Sequence, residues 1–414
     1  MTPELLLFAL LALLMVVILS ATVMRRALGF LAAAIWSLFP VYGAALPAGI
    51  GLVALAGGLL VVALTVRAQT DNRPGPGRLT VVATVLAVLV LGREWVEVPS
   101  GSETAGLQLA ASIAAAALVG YVGRMVRWRQ GFAVGLLPGG VILAVAEILR
   151  VSQGGIVHAQ QAALGVNPIV LAQYAAVAAL VIVFQVARRS WRWYALPILA
   201  VTLGGIVVSG SRGPLLGVAA AIAYTLIRGY GVAQAGARRI VRLFVLISAA
   251  AIAFVLLAVA RVDVASWLRI DDSDGNASSR LDAWEGAVAT IADSPILGAG
   301  PGRYFYGGYG VDSGVPSYPH NLWLEAWSEY GIVPVILLVV VVILAWRRAA
   351  QLGQMFVIFA VVAYGLSGSF DTSLVFWICL FVSASTRGLD SAGEATSGDP
   401  GVLSPASSGR RDRW

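Results

Sequence analysis

The feature that most constrains this chain is its succession of long apolar runs, which fall near 5–24, 27–46, 47–66, 79–92, 105–123, 131–149, 167–187, 193–209, 213–227, 243–260, 332–346, 352–370 and 372–386. A helix of about 20 apolar residues crosses the ~30 Å hydrocarbon core of a bilayer. No water is available there, so a spanning backbone must satisfy its own N–H and C=O groups, which a helix does. The expected fold is therefore an all-α polytopic membrane protein. Its 59% hydrophobic and 12% charged residues lie far from a soluble domain. The runs at 79–92 and 372–386 are short and no polar loop separates the second from the third, so the count is 12 or 13 transmembrane helices. The first run lacks a positive n-region and leads straight into Arg25 and Arg26 rather than a small-residue cleavage site, and reads as a retained helix.

All 28 basic residues are arginine, and their distribution sets the orientation, because cytoplasmic loops retain positive charge. Alternate loops and the C-terminal tail carry 21 of them, and the opposite side keeps only Arg93, Arg150, Arg212, Arg261, Arg269, Arg280 and Arg303. The net charge of +7 is thus spread over the ends of apolar runs rather than gathered into a nucleic-acid-binding segment. Four regions follow: N-terminal helices over 1–260, a large outer loop over 261–331, C-terminal helices over 332–387, and a Gly-, Ser-, Pro- and Asp-rich cytoplasmic tail over 388–414 too poor in apolar residues to fold alone.

The polar residues capable of chemistry concentrate in the outer loop and at one earlier break. Arg212 sits in Ser209-Gly-Ser-Arg-Gly-Pro214, between two apolar runs. A charge at membrane depth is costly without a partner. A lone arginine there would anchor in lipid headgroups; with flanking glycines, Ser209, Ser211 and a proline suited to a first helical turn, the segment has the composition of an anion-binding helix start. Arg280, in Ser278-Ser-Arg-Leu-Asp-Ala-Trp284, lies on an expected helix running to Ala292, with the serines as caps and Trp284 one turn on. A guanidinium suits bidentate phosphate recognition and Trp284 could stack on a sugar; pairing with Asp282 or Glu285 is the plainer alternative. The glycines at 298, 300 and 302, with Pro301 and Arg303, form either a backbone nest for an anion or simply a turn.

His320 follows Tyr318-Pro319 and precedes Asn321, after which Leu322 to Tyr330 reads as a helix with Trp323 and Trp327 on one face. An imidazole is the natural base for a hydroxyl near neutral pH, and Glu325 or Glu329 could orient it despite unfavourable spacing. The other histidine, His158, reads as solvated or structural. The run of Asp271, Asp272 and Asp274 fails the calcium-loop pattern, because Ala277 and Ala283 stand where the glycine and final glutamate belong. No metal or other cofactor is implied. The single cysteine, Cys379, lies in a late apolar run and excludes a disulfide framework.

Taken in order, Ser209-Gly-Ser-Arg-Gly, Arg280 with its tryptophan, Pro295 to Gly302, then Pro319-His320-Asn321 with Leu324-Glu325 and Tyr330-Gly331 resemble the O-antigen ligase and polymerase superfamily of bacterial membrane glycosyltransferases. The specific similarity covers about Ser209 to Pro334. The resemblance implies a GT-C-like, metal-independent enzyme acting on an undecaprenyl-diphosphate-linked glycan on the outer, periplasmic side of the inner membrane. Arg212 and Arg280 would grip the diphosphate and His320 would activate the acceptor hydroxyl. Ser209, Ser211, Arg303, Trp284, Tyr318, Asn321 and Glu325 would line the substrate site. The family commonly has 12 spans with both ends inside, whereas 13 runs put this N-terminus outside.

The expected reaction is direct displacement at the anomeric carbon with inversion. The acceptor is lipid A-core for a ligase, another lipid-linked repeat for a polymerase, or a protein hydroxyl for an oligosaccharyltransferase; the ligase is favoured because the outer loop is single and compact. A lipid-linked sugar transporter or flippase is the alternative of another class. It would need ionisable residues within the spans, where only Glu147 comes close, and no inverted repeat is visible.

Overall fold

The computed structural model describes residues 25–40, 50–68, 78–97, 105–126, 128, 130–153, 166–187, 195–228, 276–300, 319–368 and 373–386. Within them the regular structure is helical: α1 Arg25–Ser37, α2 Ile50–Ala68, α3 Arg78–Glu97, α4 Ala105–Met125, α5 Gln130–Gly135, α6 Pro138–Ser152, α7 Pro168–Ala187, α8 Ala195–Val208, α9 Arg212–Ile227, α10 Asn276–Asp293, α11 Leu322–Tyr330, α12 Ile332–Arg348, α13 Gln354–Ser367 and α14 Leu374–Ser385. Every apolar run within the described residues contains a helix; the runs at 5–24 and 243–260 lie outside them. The run at 131–149 is not one helix. Pro138 has no N–H to continue the ladder, so α5 ends at Gly135 and α6 starts at the proline.

The surface is inside-out relative to a soluble bundle. Val81, Val85, Val88 and Leu89 on α3, Ile142, Val145 and Leu149 on α6, and Val333, Ile336, Val339 and Ile343 on α12 are exposed at three- and four-residue spacing. Each set forms an apolar stripe facing outward, the arrangement that lipid solvates. Leu107–Met125, Gly131–Ser152 and Pro168–Val186 are long and apolar enough to span, and this is a membrane protein. Lipid offers no hydrophobic drive for helices to associate, so close contact depends on small residues. Gly205 of α8 seats against Ala144 of α6, Gly140 of α6 against the Tyr174 carbonyl of α7, and Gly217 of α9 against Phe359 and Ala363 of α13.

Contacts along the helices define two ends. At one, Thr386 Oγ1 accepts from the Ala350 amide at 2.8 Å, the Trp128 indole donates to Ser385 Oγ, and Phe132 packs on Gly123. Helix α13 leaves from this end and α14 returns to it. Tyr224 O–H donates to Gln354 Oε1 while Gly217 meets Phe359 and Ala363, so α9 runs antiparallel to α13 and its first residue, Arg212, lies at the opposite end. Helix α6 follows Phe132 and so also finishes at the Arg212 end. Trp323 of α11 packs on Gly365 and Phe376, which brings α11 there too. Arg124, Arg228, Arg347 and Arg348 therefore mark the Thr386 end. Arg150 and Arg212 mark the other, joined by Arg93, which donates to the Gly298 carbonyl at 3.0 Å. These arginines segregate as the sequence divides them.

Candidate functional site

The break between α8 and α9 is a tight turn. Gly210 takes φ 71°, a left-handed conformation that only glycine adopts without cost. Ser209 Oγ donates to the Ile206 carbonyl at 2.7 Å and accepts from the Ser211 amide at 3.3 Å. The buried Ser209 hydroxyl therefore closes the turn, while Ser211 is half-buried beside it. Pro214 falls in the first turn of α9, where no intrahelical N–H is needed. Arg212 is exposed at the helix start, where the positive end of the helix dipole adds to its charge. It also heads a stripe: Leu216, Ala219, Ala223 and Ile227 follow on the same exposed face, Leu216 53% exposed and Ile227 84%.

Helix α11 is fixed at both termini. Asn321 caps it, its Oδ1 accepting from the amides of Trp323 and Leu324 at 3.0 and 3.2 Å. At the other terminus Gly331 takes φ 81°, and a Cβ there would strike the Ile296 carbonyl. The segment Pro295–Gly300 crosses this terminus. Ala299 N donates to Ser328 O at 2.7 Å, Gly300 N to Glu329 O at 3.0 Å, Ile332 N to Pro295 O at 3.2 Å, and the Trp327 indole to Pro295 O at 3.0 Å. The Gly298 amide donates to Ser294 O at 2.9 Å. An anion nest from these glycines is thus ruled out for residues 298–300, because their amides already satisfy carbonyls at the ends of α10 and α11. Arg303 and Tyr318 lie outside the described residues.

His320 immediately precedes the Asn321 cap and takes φ 48°, uncommon for a residue with a Cβ. It is half-buried at the rim. Glu325 and Glu329, one turn apart on α11, are each 1% exposed and turned into the fold. Helix α10 packs on α11 through Ala283 and Ala287 against Leu324. The Trp284 indole N–H donates to the Pro319 carbonyl at 2.7 Å, which sets α10 directly against the residue preceding His320. Arg280 lies one turn before Trp284. Its helix begins at Asn276, so Ser278 and Ser279 fall inside the first turn rather than before it.

The same end carries a pair that sequence reading noticed only in part. Glu147 of α6, 1% exposed, accepts from Arg150 Nε at 3.0 Å and Nη2 at 2.6 Å, a bidentate ion pair at i, i+3. Burial of a carboxylate needs such a partner, and the three-residue spacing within an apolar run was the available signal. Arg93 was likewise assigned to this side by charge alone; its anchoring of Gly298 spans 205 residues and has no local signature.

The Arg212 end thus gathers an exposed cation at a helix start, the helix bearing Arg280, and an imidazole held in an unusual backbone conformation. Guanidinium groups and a helix N-terminus suit a phosphate, and an imidazole suits proton transfer. Comparison with known families agrees in kind: residues 197–339 match the O-antigen ligase family. No curated protein matches the chain.

Proposed function

We propose, on the premise that residues 197–339 form an O-antigen ligase domain, that this protein moves a glycan en bloc from undecaprenyl diphosphate to an acceptor hydroxyl of lipid A-core, on the periplasmic side of the inner membrane. The observation that carries this reading is Arg212 at the head of the exposed apolar stripe Leu216, Ala219, Ala223 and Ile227. A cation at the end of a lipid-facing stripe suits a ligand whose diphosphate is joined to a long hydrocarbon: the polyprenyl chain stays in the bilayer while the diphosphate meets the guanidinium.

In the proposed reaction the acceptor oxygen attacks the anomeric carbon from the face opposite the diphosphate. The new glycosidic C–O bond forms as the bond to the phosphate oxygen breaks, with inversion. His320 takes the acceptor proton. Arg212 and Arg280, with Arg303, neutralise the charge that accumulates on the leaving undecaprenyl diphosphate, an effect worth several kcal/mol where the groups are preorganised. The sugar phosphate bond is already activated, so no nucleotide is required. Glu147 is buried and held by Arg150 near the end of α6, and this scheme gives it no ion-coupling role.

The test is reconstitution in nanodiscs with a defined undecaprenyl-diphosphate oligosaccharide, with and without lipid A-core, and mass spectrometry of the products. A single adduct that forms only with lipid A-core is expected. A ladder from donor alone would make the enzyme a polymerase, and absence of product under both conditions would remove the reading.

A further inference from the structure

We propose that Trp284 is a positioning residue: its indole N–H, by holding the Pro319 carbonyl, fixes the backbone of His320 and ties the base to the helix that carries Arg280. The inference rests on the transfer reaction above for its catalytic meaning, although its structural part stands alone. The sequence offers the Trp284 ring for stacking on a sugar. The geometry commits its N–H edge to a backbone carbonyl at 2.7 Å, across 35 residues of chain.

His320 is held in a left-handed conformation, φ 48°, that a residue with a Cβ seldom adopts. Such a conformation persists only where its surroundings over-determine it. Hydrogen bonds on both sides of it contribute here. On one side Asn321 Oδ1 caps the amides of Trp323 and Leu324. On the other, Trp284 holds the carbonyl of Pro319, the peptide group that sets φ of His320. The cap belongs to α11 itself; the Trp284 bond crosses to α10. Ala283 and Ala287 against Leu324 keep the two helices in register around it. Arg280 is one turn from Trp284, so a donor that draws on Arg280 and a base that depends on Trp284 share one rigid element.

The test uses Trp284→Phe, which keeps an aromatic ring for stacking and removes the N–H. The chain has only two histidines, so in a His158→Gln background carbethoxylation by diethylpyrocarbonate, mapped by mass spectrometry, reports His320 alone. Without any donor, Trp284→Phe is expected to raise the His320 modification rate about threefold, because an anchor of the peptide before His320 is released. In the transfer assay kcat should fall about tenfold with the donor KM within about twofold, as for a misplaced catalytic group. If Trp284→Phe matches the parent in both measurements, the proposal is overturned. If Trp284→Phe is normal while Trp284→Ala raises the donor KM, the ring stacks on sugar and the proposal is again overturned. Should no protein transfer glycan to any acceptor, the reaction assigned above fails while the modification rates still decide whether Trp284 holds His320.

Discussion

The two ends of the bundle are made from the same apolar helices, yet among the described residues each contains one residue with a side chain in the left-handed region, and the contrast between them separates packing from function. At the Thr386 end it is Trp128, φ 49°, 4% exposed. Its ring lies among Phe132, Phe184 and Phe356 at centroid distances of 5.3, 4.8 and 6.0 Å, and its indole donates to Ser385. Every part of that side chain is used by the fold. At the Arg212 end it is His320, φ 48°, half-buried at the rim, its backbone held from both sides. Backbone strain therefore does not identify a site by itself. What distinguishes His320 is that the fold fixes its main chain while its side chain stays half-buried, beside helices carrying arginines.

The comparison can be broken most readily at His320. His320→Ala should lower single-turnover glycan transfer about 10³-fold, the range for loss of a general base, whereas Trp128→Phe should leave transfer within about twofold at a permissive temperature. Equal losses would erase the distinction. Next in size, Arg212→Lys should cost about 10²-fold in kcat/KM, since a point charge does not reproduce a planar fork on a diphosphate. Arg228→Lys, at the other terminus of the same helix, should change it less than about twofold. Both are read from initial rates against donor concentration.

Glycine substitutions sharpen the contrast through stability. Gly331→Ala combines φ 81° with a clash against the Ile296 carbonyl. It should destabilise the protein by about 3 kcal/mol, seen as a lowered Tm in detergent. The smallest effect expected is that of Thr386→Val, which removes the acceptor for the Ala350 amide. It should cost about 1 kcal/mol of stability and leave transfer unchanged.

Much of the helical frame was legible because a bilayer permits few alternatives: a long apolar run must satisfy its backbone internally. Helix α11 was readable to its bounds, Leu322 to Tyr330, since Asn321 before it and Gly331 after it are chemically suited to those roles. The break at Ser209–Pro214 was readable for the same reason. Harder were features decided by distant partners. The amides of residues 299 and 300 could read as part of an anion nest because nothing local shows that the end of α11 would take them. The Trp284 hydrogen bond had no local signature because Pro319, its acceptor, is remote in sequence. Pro138 stood in plain view within an apolar run, but hydropathy alone does not register a missing N–H.

The claim on which the rest depends is that Arg212 and His320 act on one bound donor at one end of the bundle. The direct measurement is a footprint: carbethoxylation of His320 in the His158→Gln protein, with and without undecaprenyl-diphosphate oligosaccharide, for the parent, Arg212→Gln and Arg228→Gln. Donor at ten times its Kd should slow modification about tenfold in the parent and in Arg228→Gln, as simple occupancy requires, and give little protection in Arg212→Gln at the same concentration. Equal modification with and without donor in the parent, or full protection in Arg212→Gln, would contradict it.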